Sequence, residues 1–293
     1  MPTKATVDTF SYAAPDDPWL KRIVIRAIEL MTGQPTLKRM YLENQARPVP
    51  GENFWAAAVR HLRLRVHSNR VELDALPRSG PLMVIANHPF GVLDGIVISY
   101  LISQVRPDFK ILTNAVLYRA EEIRPFLLPI DFSPTKEALE TNLKSRSQAR
   151  DHLVAGNCVV VFPAGGIATS KSPFRGPAVD AEWGTFAAGM IHQARAAVAP
   201  VFFAGQNSRL FQMASHVSMT LRLSLVFKEV HDRIGSDMPV RIGAAIPYEQ
   251  LAVFKDRKAL MQFLRERTLE LGKNITLPKK RSRKLKRLER VPT

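Results

Sequence analysis

The stretch VIANHPFGVLDG, residues 84–95, constrains this chain of 293 residues more than any other. An apolar run from Leu82 to Ala86 stops at Asn87-His88-Pro89, and a second apolar run begins at Ile96. This pattern predicts a buried strand, a sharp turn and a helix over 95–104. His88 would then lie at the carboxyl end of a strand, where open α/β sheets bind their ligands.

A carboxylate follows this histidine six positions later, at Asp94. On one continuous helix the two side chains would point about 120° apart, so they meet only if the loop at Pro89 and Gly91 absorbs the difference. Neutral imidazole can take a proton from a hydroxyl, and a carboxylate on its other ring nitrogen fixes the tautomer. The alternative is a structural histidine, with Asp94 as the N-cap of a helix that begins at Gly95.

The sequence offers this pair no obvious protein nucleophile. No G-x-S-x-G elbow occurs in the chain. The chain has a single cysteine, Cys158, which excludes an internal disulfide. Cys158 lies in the apolar run CVVVF, which predicts a buried small side chain. The attacking hydroxyl is therefore expected to belong to a substrate, and zinc is not expected because no Cys/His cluster exists.

The motif NHPFGVLDG resembles the histidine-aspartate block of the glycerolipid and lysophospholipid acyltransferases, the family that includes 1-acylglycerol-3-phosphate acyltransferase. Its five residues between His and Asp, instead of the commoner four, are similar to the hemolysin-like subgroup. Further segments resemble the later blocks of the family, in the expected order: LTNAVLYR with RPFLLPIDF (112–119 and 124–132), VVVFPAGGIA (159–168) and VAPVFFAGQNSRLF (198–211). The resemblance covers residues 74–247.

This resemblance implies an O-acyltransferase of membrane lipid synthesis. It would move a fatty acyl group from acyl carrier protein or coenzyme A to the hydroxyl of a lysolipid, with His88 as general base and Asp94 as its orienting carboxylate. Backbone amides near Gly91 or Gly165 would stabilise the oxyanion, without a metal, a cofactor or an acyl-enzyme. Two alternatives stay open: a lipid or thioester hydrolase that uses the same histidine, and a non-catalytic basic protein that binds membrane or nucleic acid.

Substrate-binding residues are expected in and beside these blocks. Paired glycines let backbone N–H groups face an anion, and arginine binds phosphate or carboxylate bidentately. The candidates are Asn87, Gly91, Arg119, Gly165, Gly166, Arg175 and Asn207. The resembled enzymes usually carry a glutamate in the third block, where this chain has Ala164 and Gly166. This departure leaves the acceptor open, with lysophosphatidic acid and lyso-ornithine lipid among the candidates, and it weakens an assignment to phosphatidic acid synthesis.

The net charge of +16 is concentrated at one end of the chain. From Lys273 onward there are nine Lys and Arg residues and one Glu, a run that predicts a solvated, disordered tail over 273–293. Such a tail attracts anionic lipid headgroups by about 1 kcal/mol per basic residue near the surface. An acidic acyl carrier protein would also suit the basic surface, and nucleic acid is not expected as a partner.

Strand and helix signals alternate from Val71 onward, which predicts an α/β domain over 71–272 with a mostly parallel mixed sheet flanked by helices. Residues 1–70 are expected to form an N-terminal helical layer with helices at 19–31 and 54–64. Further strands are predicted near 70–73 and at 109–114, 157–162, 200–203, 217–227 and 239–246, and further helices at 135–155, 183–197 and 248–271. His152, His192 and His216 fall within these elements and are expected to be structural.

The sequence shows no secretory signal and no convincing membrane span. The helix over 19–31 carries apolar side chains among Lys21, Arg22 and Arg26, so it can lie in a lipid interface or pack on its own domain. We expect a cytoplasmic protein that is peripheral on the inner face of the cytoplasmic membrane.

Overall fold

A computed structural model describes residues 18–114, 121–131, 133, 135–273 and 275. Its strands are β1 (Arg65–His67), β2 (Leu82–Ala86), β3 (Lys110–Asn114), β4 (Leu127–Ile130), β5 (Cys158–Val161), β6 (Thr169–Ser170), β7 (Ala178–Val179), β8 (Ala197–Phe203) and β9 (Asp237–Ile242). Its helices are α1 (Trp19–Met31), α2 (Gln34–Ala46), α3 (Phe54–His61), α4 (Arg70–Asp74), α5 (Val92–Ser103), α6 (Lys136–Val154), α7 (Phe186–Ala194), α8 (Arg209–Val217), α9 (Met219–Ser224), α10 (Val226–Asp232), α11 (Tyr248–Leu251) and α12 (Arg257–Glu270), with a 3₁₀ helix at Glu121–Phe126.

The main sheet has seven strands in the order β1-β9-β8-β2-β5-β3-β4. All neighbouring pairs are parallel except β8 and β9. β6 and β7 form a separate antiparallel hairpin. The predicted fold class, a mostly parallel mixed sheet flanked by helices, is confirmed.

Helices cover both faces of this sheet, which explains why its central strands are continuously apolar. β2 and β5 have no exposed residue, as expected when both faces are packed. Val84 and Val160 face one core with α3 and α5, and Met83 and Val159 face the other with α6, α7 and α12. α5 is apolar on all sides and buries most of its residues, as helices in the middle of a core do.

Helices α2 and α3 pack on the same core as the sheet. Leu37 of α2, Trp55 of α3 and Leu62 belong to one buried cluster with strand residues such as Val84. α1 and α3 lie where the sequence predicts helices, whereas α2 was not predicted. The division into a layer at 1–70, a domain at 71–272 and a tail stays a prediction, and residues 1–17 and 276–293 lie outside the described part.

The amino-terminal edge of the sheet is held by a buried arginine. Arg106, only 1% exposed, donates to the Asp108 carboxylate and to the backbone carbonyls of Pro77, Gly80 and Gly156. The Asp108 carboxylate also accepts the backbone N–H of Cys158 at 3.1 Å, which joins the starts of β3 and β5. The loops that carry the motifs of the sequence lie at the opposite, carboxyl-terminal edge.

Two segments predicted as strands are helical. Residues 70–73 belong to α4, and the nearby strand β1 lies five residues earlier. The stretch 217–227 alternates apolar and polar residues like a strand but holds the end of α8, all of α9 and the start of α10. Leu221, Leu225 and Val226 in it pack into a core cluster at helical spacing. The helix predicted over 248–271 is two helices, since Asp256 caps a new start for α12.

None of the described helices combines the length and the apolar character that crossing a bilayer requires.

Candidate active site

The predicted site residues come from loops that follow three adjacent strands. β2 lies between β5 and β8 and is parallel to both, so the loops that leave these strands meet at one edge of the sheet. The loop after β2 carries Asn87, His88 and Gly91, the loop after β5 carries Gly165 and Gly166, and the loop after β8 carries Asn207. Blocks that are far apart in the sequence therefore converge as predicted for an α/β sheet.

The structure brings His88 and Asp94 together. His88 Nδ1 lies 3.0 Å from Asp94 Oδ2, although the ring N–H is not aligned with the oxygen in this conformation. Such contacts are often loose in a free enzyme and tighten when substrate binds. The His88 side chain is 17% exposed, so its other ring nitrogen, Nε2, is left to face a ligand.

Asp94 is completely buried at the amino-terminal end of α5. The helix begins at Val92, three residues earlier than predicted, and Asp94 Oδ2 accepts the backbone N–H groups of Phe90 at 2.7 Å and Gly91 at 2.9 Å. The alternative in which Asp94 is the N-cap of a helix beginning at Gly95 is thus wrong, because the N-cap is Gly91. Asp94 caps the helix from its third residue while it also faces His88.

Burial dominates the electrostatics of this carboxylate. Complete desolvation raises the pKa of Asp94 above its ordinary value, while His88 and the two backbone N–H donors act in the opposite direction. The positive end of the α5 dipole also favours a negative charge here. Arg233 adds a cation nearby, where it stacks over the Phe90 ring at 3.8 Å.

The imidazole of His88 is packed against an aromatic ring. Phe162, the first residue after β5, stacks on it with 4.1 Å between ring centroids and 26° between planes. This contact restricts rotation of the imidazole out of the plane that faces Asp94. Phe162 lies within the third sequence block, but nothing in the pattern of that block indicates a contact with the histidine.

Gly91 acts through its backbone conformation. Its φ of 77° is in the region that favours glycine, and a Cβ at this position would come within 2.6 Å of Ile167 Cδ1. Its N–H is already donated to Asp94, and the N–H of Gly165 is donated to the Phe162 carbonyl at 3.0 Å. These two N–H groups are therefore occupied in this conformation, and the expectation that backbone amides near Gly91 or Gly165 stabilise an oxyanion stays a prediction.

The other predicted binding residues differ in their surroundings. Gly165 and Gly166 are exposed beside the site, and among the described residues the Gly166 N–H has no hydrogen-bond partner. Arg175 is exposed at the tip of the β6–β7 hairpin. Arg119 lies outside the described residues.

Two predicted asparagines are buried. The Asn87 side chain donates to the Phe203 carbonyl at 2.9 Å and accepts the Phe203 N–H at 2.7 Å, so it ties the end of β2 to the end of β8. Asn207 is 2% exposed, and within the described part of the chain neither of its amide atoms has a partner. A role in substrate binding stays a prediction for both.

Two of the histidines predicted to be structural contact backbone carbonyls, and the single cysteine is buried. His152 Nε2 lies 2.6 Å from the Asp108 carbonyl and His216 Nε2 lies 2.8 Å from the Ser170 carbonyl. Burial raises the pKa of Cys158 to about 12, so this thiol, at the opposite edge of the sheet, is a poor nucleophile. Across the described ranges, no group of three or more His, Cys, Asp and Glu residues has the geometry of a metal site.

The residue that sequence reasoning missed is Asp180. Its Oδ1 accepts the backbone N–H of His88 at 3.1 Å, and its Oδ2 accepts the indole N–H of Trp183 at 3.0 Å. Burial raises the pKa of Asp180, and hydrogen bonds from Trp183 and His88 oppose that shift. The segment AVDAEWG lies between the third and fourth blocks, and nothing in its pattern indicates a contact with His88.

Comparison with known proteins identifies the family of this chain. A family model described as "Acyltransferase" matches residues 36–276, which include all three converging loops. The chain belongs to the acyltransferase family. This confirms the predicted family and the predicted enzyme class, an O-acyltransferase, whereas the hemolysin-like subgroup stays a prediction.

Two relatives and one solved structure are similar to this chain. A lyso-glycine lipid O-acyltransferase of Phocaeicola vulgatus is 23% identical over 263 residues, which are 85% of this chain and 87% of that protein. A lyso-glycine lipid O-acyltransferase of Bacteroides thetaiotaomicron is 27% identical over 225 residues, 70% and 75% of the two chains. The crystal structure of the 1-acyl-sn-glycerophosphate acyltransferase of Thermotoga maritima has a TM-score of 0.48 and 12% identity, over 88% of this chain and 99% of that chain.

The geometry of Gly91 can be tested against a second glycine. Gly91→Ala and Gly80→Ala both place alanine at positive φ, 77° and 81°, but only the first meets a neighbouring side chain within 4 Å and shifts an N–H that holds Asp94. We expect each to lower the free energy of unfolding by about 1–2 kcal/mol in urea titrations. Only Gly91→Ala should also lower kcat, by about tenfold. Equal kcat values for the two variants would contradict this role of the loop.

Proposed function

We propose that this enzyme transfers a fatty acyl group from an acyl thioester to the hydroxyl of a lysolipid, with His88 as the general base. The single observation that carries the proposal is the 3.0 Å contact between His88 Nδ1 and the buried Asp94, which leaves Nε2 facing outward. The names of both relatives support a lysolipid as the acceptor, and a lyso-amino-acid lipid such as lyso-glycine lipid is the first acceptor to test.

In the proposed reaction, His88 Nε2 removes the proton of the acceptor hydroxyl as its oxygen forms a bond to the thioester carbon. The imidazolium is stabilised by Asp94. The tetrahedral oxyanion then collapses, the carbon–sulfur bond breaks, and the sulfur leaves with the proton from His88. We expect the N–H of Gly166 to contact the oxyanion, because it is beside the site and has no partner among the described residues. The scheme uses no cofactor or metal ion, and its acyl donor is coenzyme A or acyl carrier protein.

The function is tested with His88→Ala and Asp94→Asn. We expect His88→Ala to lower kcat by about 10³-fold or more and Asp94→Asn by about 10²-fold or more, since the first removes the base and the second its orienting charge. The measurement follows labelled acyl transfer from both donors to a panel of lysolipids that includes lyso-glycine lipid. His152→Ala is the matched control, because it removes a histidine whose ring contacts the Asp108 carbonyl at the opposite edge of the sheet.

Two outcomes would contradict the proposal. Full transferase activity in His88→Ala would remove the base from the mechanism. Release of free fatty acid without an acylated acceptor, lost in His88→Ala, would favour the hydrolase alternative.

A cavity next to this dyad supports an acyl-chain site. It has a volume of about 170 Å³ and an almost wholly apolar lining, contributed by α2, α3, α5, β3, β4 and α10. Val92, Gly95 and Ile96 line it from the same end of α5 that carries Asp94. Apolar walls of this kind favour a hydrocarbon chain over any polar part of the substrates.

Filling the cavity should change the preference for chain length. A Cβ at Gly95 would point into open space, so Gly95→Leu is expected to fold and to occupy part of the cavity. We expect kcat/KM for a palmitoyl donor to fall by about tenfold or more, while an octanoyl donor is affected by less than about threefold. Gly95→Ala is the control with a single added methyl group. Equal losses for both donors in Gly95→Leu would argue against an acyl-chain site here.

We also propose that α1 contacts an anionic membrane surface. Trp19, Leu20, Ile23, Leu30 and Met31 are all more than half exposed on this helix, and Arg22 and Arg26 lie among them. Apolar and basic side chains on one surface helix are typical of interfacial binding. The basic tail predicted to attract lipid headgroups lies mostly outside the described residues.

If α1 contacts the membrane, substitutions of its exposed aliphatic residues should weaken vesicle binding more than the same substitutions on another helix. Ile23→Glu with Leu30→Glu should weaken binding to phosphatidylglycerol vesicles by about tenfold in sedimentation assays, because each carboxylate would enter the lipid interface. The control pair is Leu139→Glu with Leu143→Glu on α6, whose side chains are similarly exposed. Equal vesicle binding by the two double variants would exclude α1 as the contact.

A further inference from the structure

The backbone of His88 is held from both sides by one hairpin. Its carbonyl accepts the N–H of Ala168 at 2.8 Å, and its N–H donates to Asp180 Oδ1 at 3.1 Å. Ala168 immediately precedes β6 and Asp180 immediately follows β7, so the two ends of the β6–β7 hairpin both contact the same peptide segment.

This hairpin is itself anchored on its other side. Gln212 accepts the N–H of Ser170, Gln206 accepts the N–H of Ala178, and Arg222 donates to Thr169. These side chains come from α8, α9 and the loop before α8, and they fix the hairpin relative to the domain. Asp180 is also tied to the core through Trp183, which is only 4% exposed.

The loop that carries His88 needs such support. β2 ends at Ala86, so no neighbouring strand pairs with the His88 N–H, and a buried unpaired N–H would be costly. The imidazole reaches Asp94 from this unpaired stretch, so a change in the backbone at His88 displaces Nδ1 from the carboxylate. Displacement of a catalytic group by about 1 Å can cost about 100-fold in rate.

We propose that Asp180 is a positioning residue for acyl transfer, which holds the backbone of His88 so that the imidazole stays aligned between Asp94 and the acceptor hydroxyl. The proposal rests on the role of His88 as general base. It adds a second carboxylate that never touches substrate and acts through the His88 peptide N–H. Its anchor, Trp183 Nε1, occupies the other carboxylate oxygen, so the carboxylate is held at both ends.

The test compares Asp180→Ala with Asp180→Asn. The amide oxygen of asparagine can still accept the His88 N–H, while its NH2 group loses the hydrogen bond from Trp183; alanine leaves both donors unpaired. We expect Asp180→Ala to lower kcat by about 30–100-fold with KM values within about twofold of wild type, and Asp180→Asn to restore kcat to within about fivefold. Trp183→Phe keeps an aromatic ring, although a smaller one, and loses the indole N–H. It should give an intermediate loss of kcat and provides a second variant if Asp180→Ala folds poorly.

The control is Asp108→Asn. Asp108 also accepts a backbone N–H, that of Cys158, but at the opposite edge of the sheet. We expect this variant to lower the melting temperature while kcat of the folded enzyme stays within about twofold of wild type. Activities are compared at a temperature well below every melting transition.

A second readout does not depend on turnover. In protein labelled with ¹³C-histidine, the His88 ring resonance is identified by its loss in His88→Ala. It should shift or broaden in Asp180→Ala and stay in place in Asp108→Asn. A purely structural role for Asp180 would instead lower the melting temperature and leave kcat and the His88 resonance unchanged, which would overturn the proposal.

The two hypotheses fail in different ways. If His88→Ala retains transferase activity, the general-base mechanism is wrong, whatever Asp180 does to the resonance. If His88→Ala is inactive and both Asp180 variants keep wild-type kcat, the mechanism stands and the positioning role is excluded. If kcat of Asp180→Asn falls as far as kcat of Asp180→Ala, the hydrogen bond to the His88 N–H does not determine activity. This result would also overturn the proposal.

Discussion

The buried carboxylate of Asp94 is the constraint on which the arrangement of this site depends. An ionised carboxylate without solvent is costly unless donors and an opposite charge surround it. The chain supplies two backbone N–H groups, the end of a helix and an imidazole within 3.0 Å. These partners are all fixed by the loop at 87–91, so the loop conformation, the start of α5 and the orientation of His88 are set together.

The topology of the sheet places residues from distant parts of the sequence next to the loop after β2. Because β2 lies between β5 and β8, its outgoing loop has a neighbour on each side: Phe162 stacks on the histidine from one, and Asn87 is tied to Phe203 on the other. A histidine-aspartate pair at the end of an edge strand would have only one such neighbour. The central position of β2 therefore serves both packing and orientation.

Much of this arrangement could be predicted from the sequence, and the failures have physical causes. The apolar runs at β2 and β5 and the Asn-His-Pro turn determined the strands and the position of His88, because local pattern and burial agree there. The predicted strand at 217–227 was wrong, because its alternating pattern fits a strand while the packing of Leu225 and Val226 favours helices. Hydrogen bonds were the least predictable feature. The spacing of residues in the sequence indicates neither the hydrogen bond from the Gly91 N–H to Asp94 nor the one from the His88 N–H to Asp180.

α5 links the reacting groups to the apolar cavity. Its first turn holds Asp94 on one side, while Val92, Gly95 and Ile96 line the cavity on another. A hydrocarbon chain in that cavity would be fixed relative to the same helix that fixes the imidazole, so binding energy gained along the chain could position the carbonyl carbon against the acceptor oxygen. The absence of a side chain at Gly95 leaves open space beside Asp94, where the proposed acyl chain would lie, while positive φ at Gly91 lets the helix begin close enough for Asp94 to reach His88.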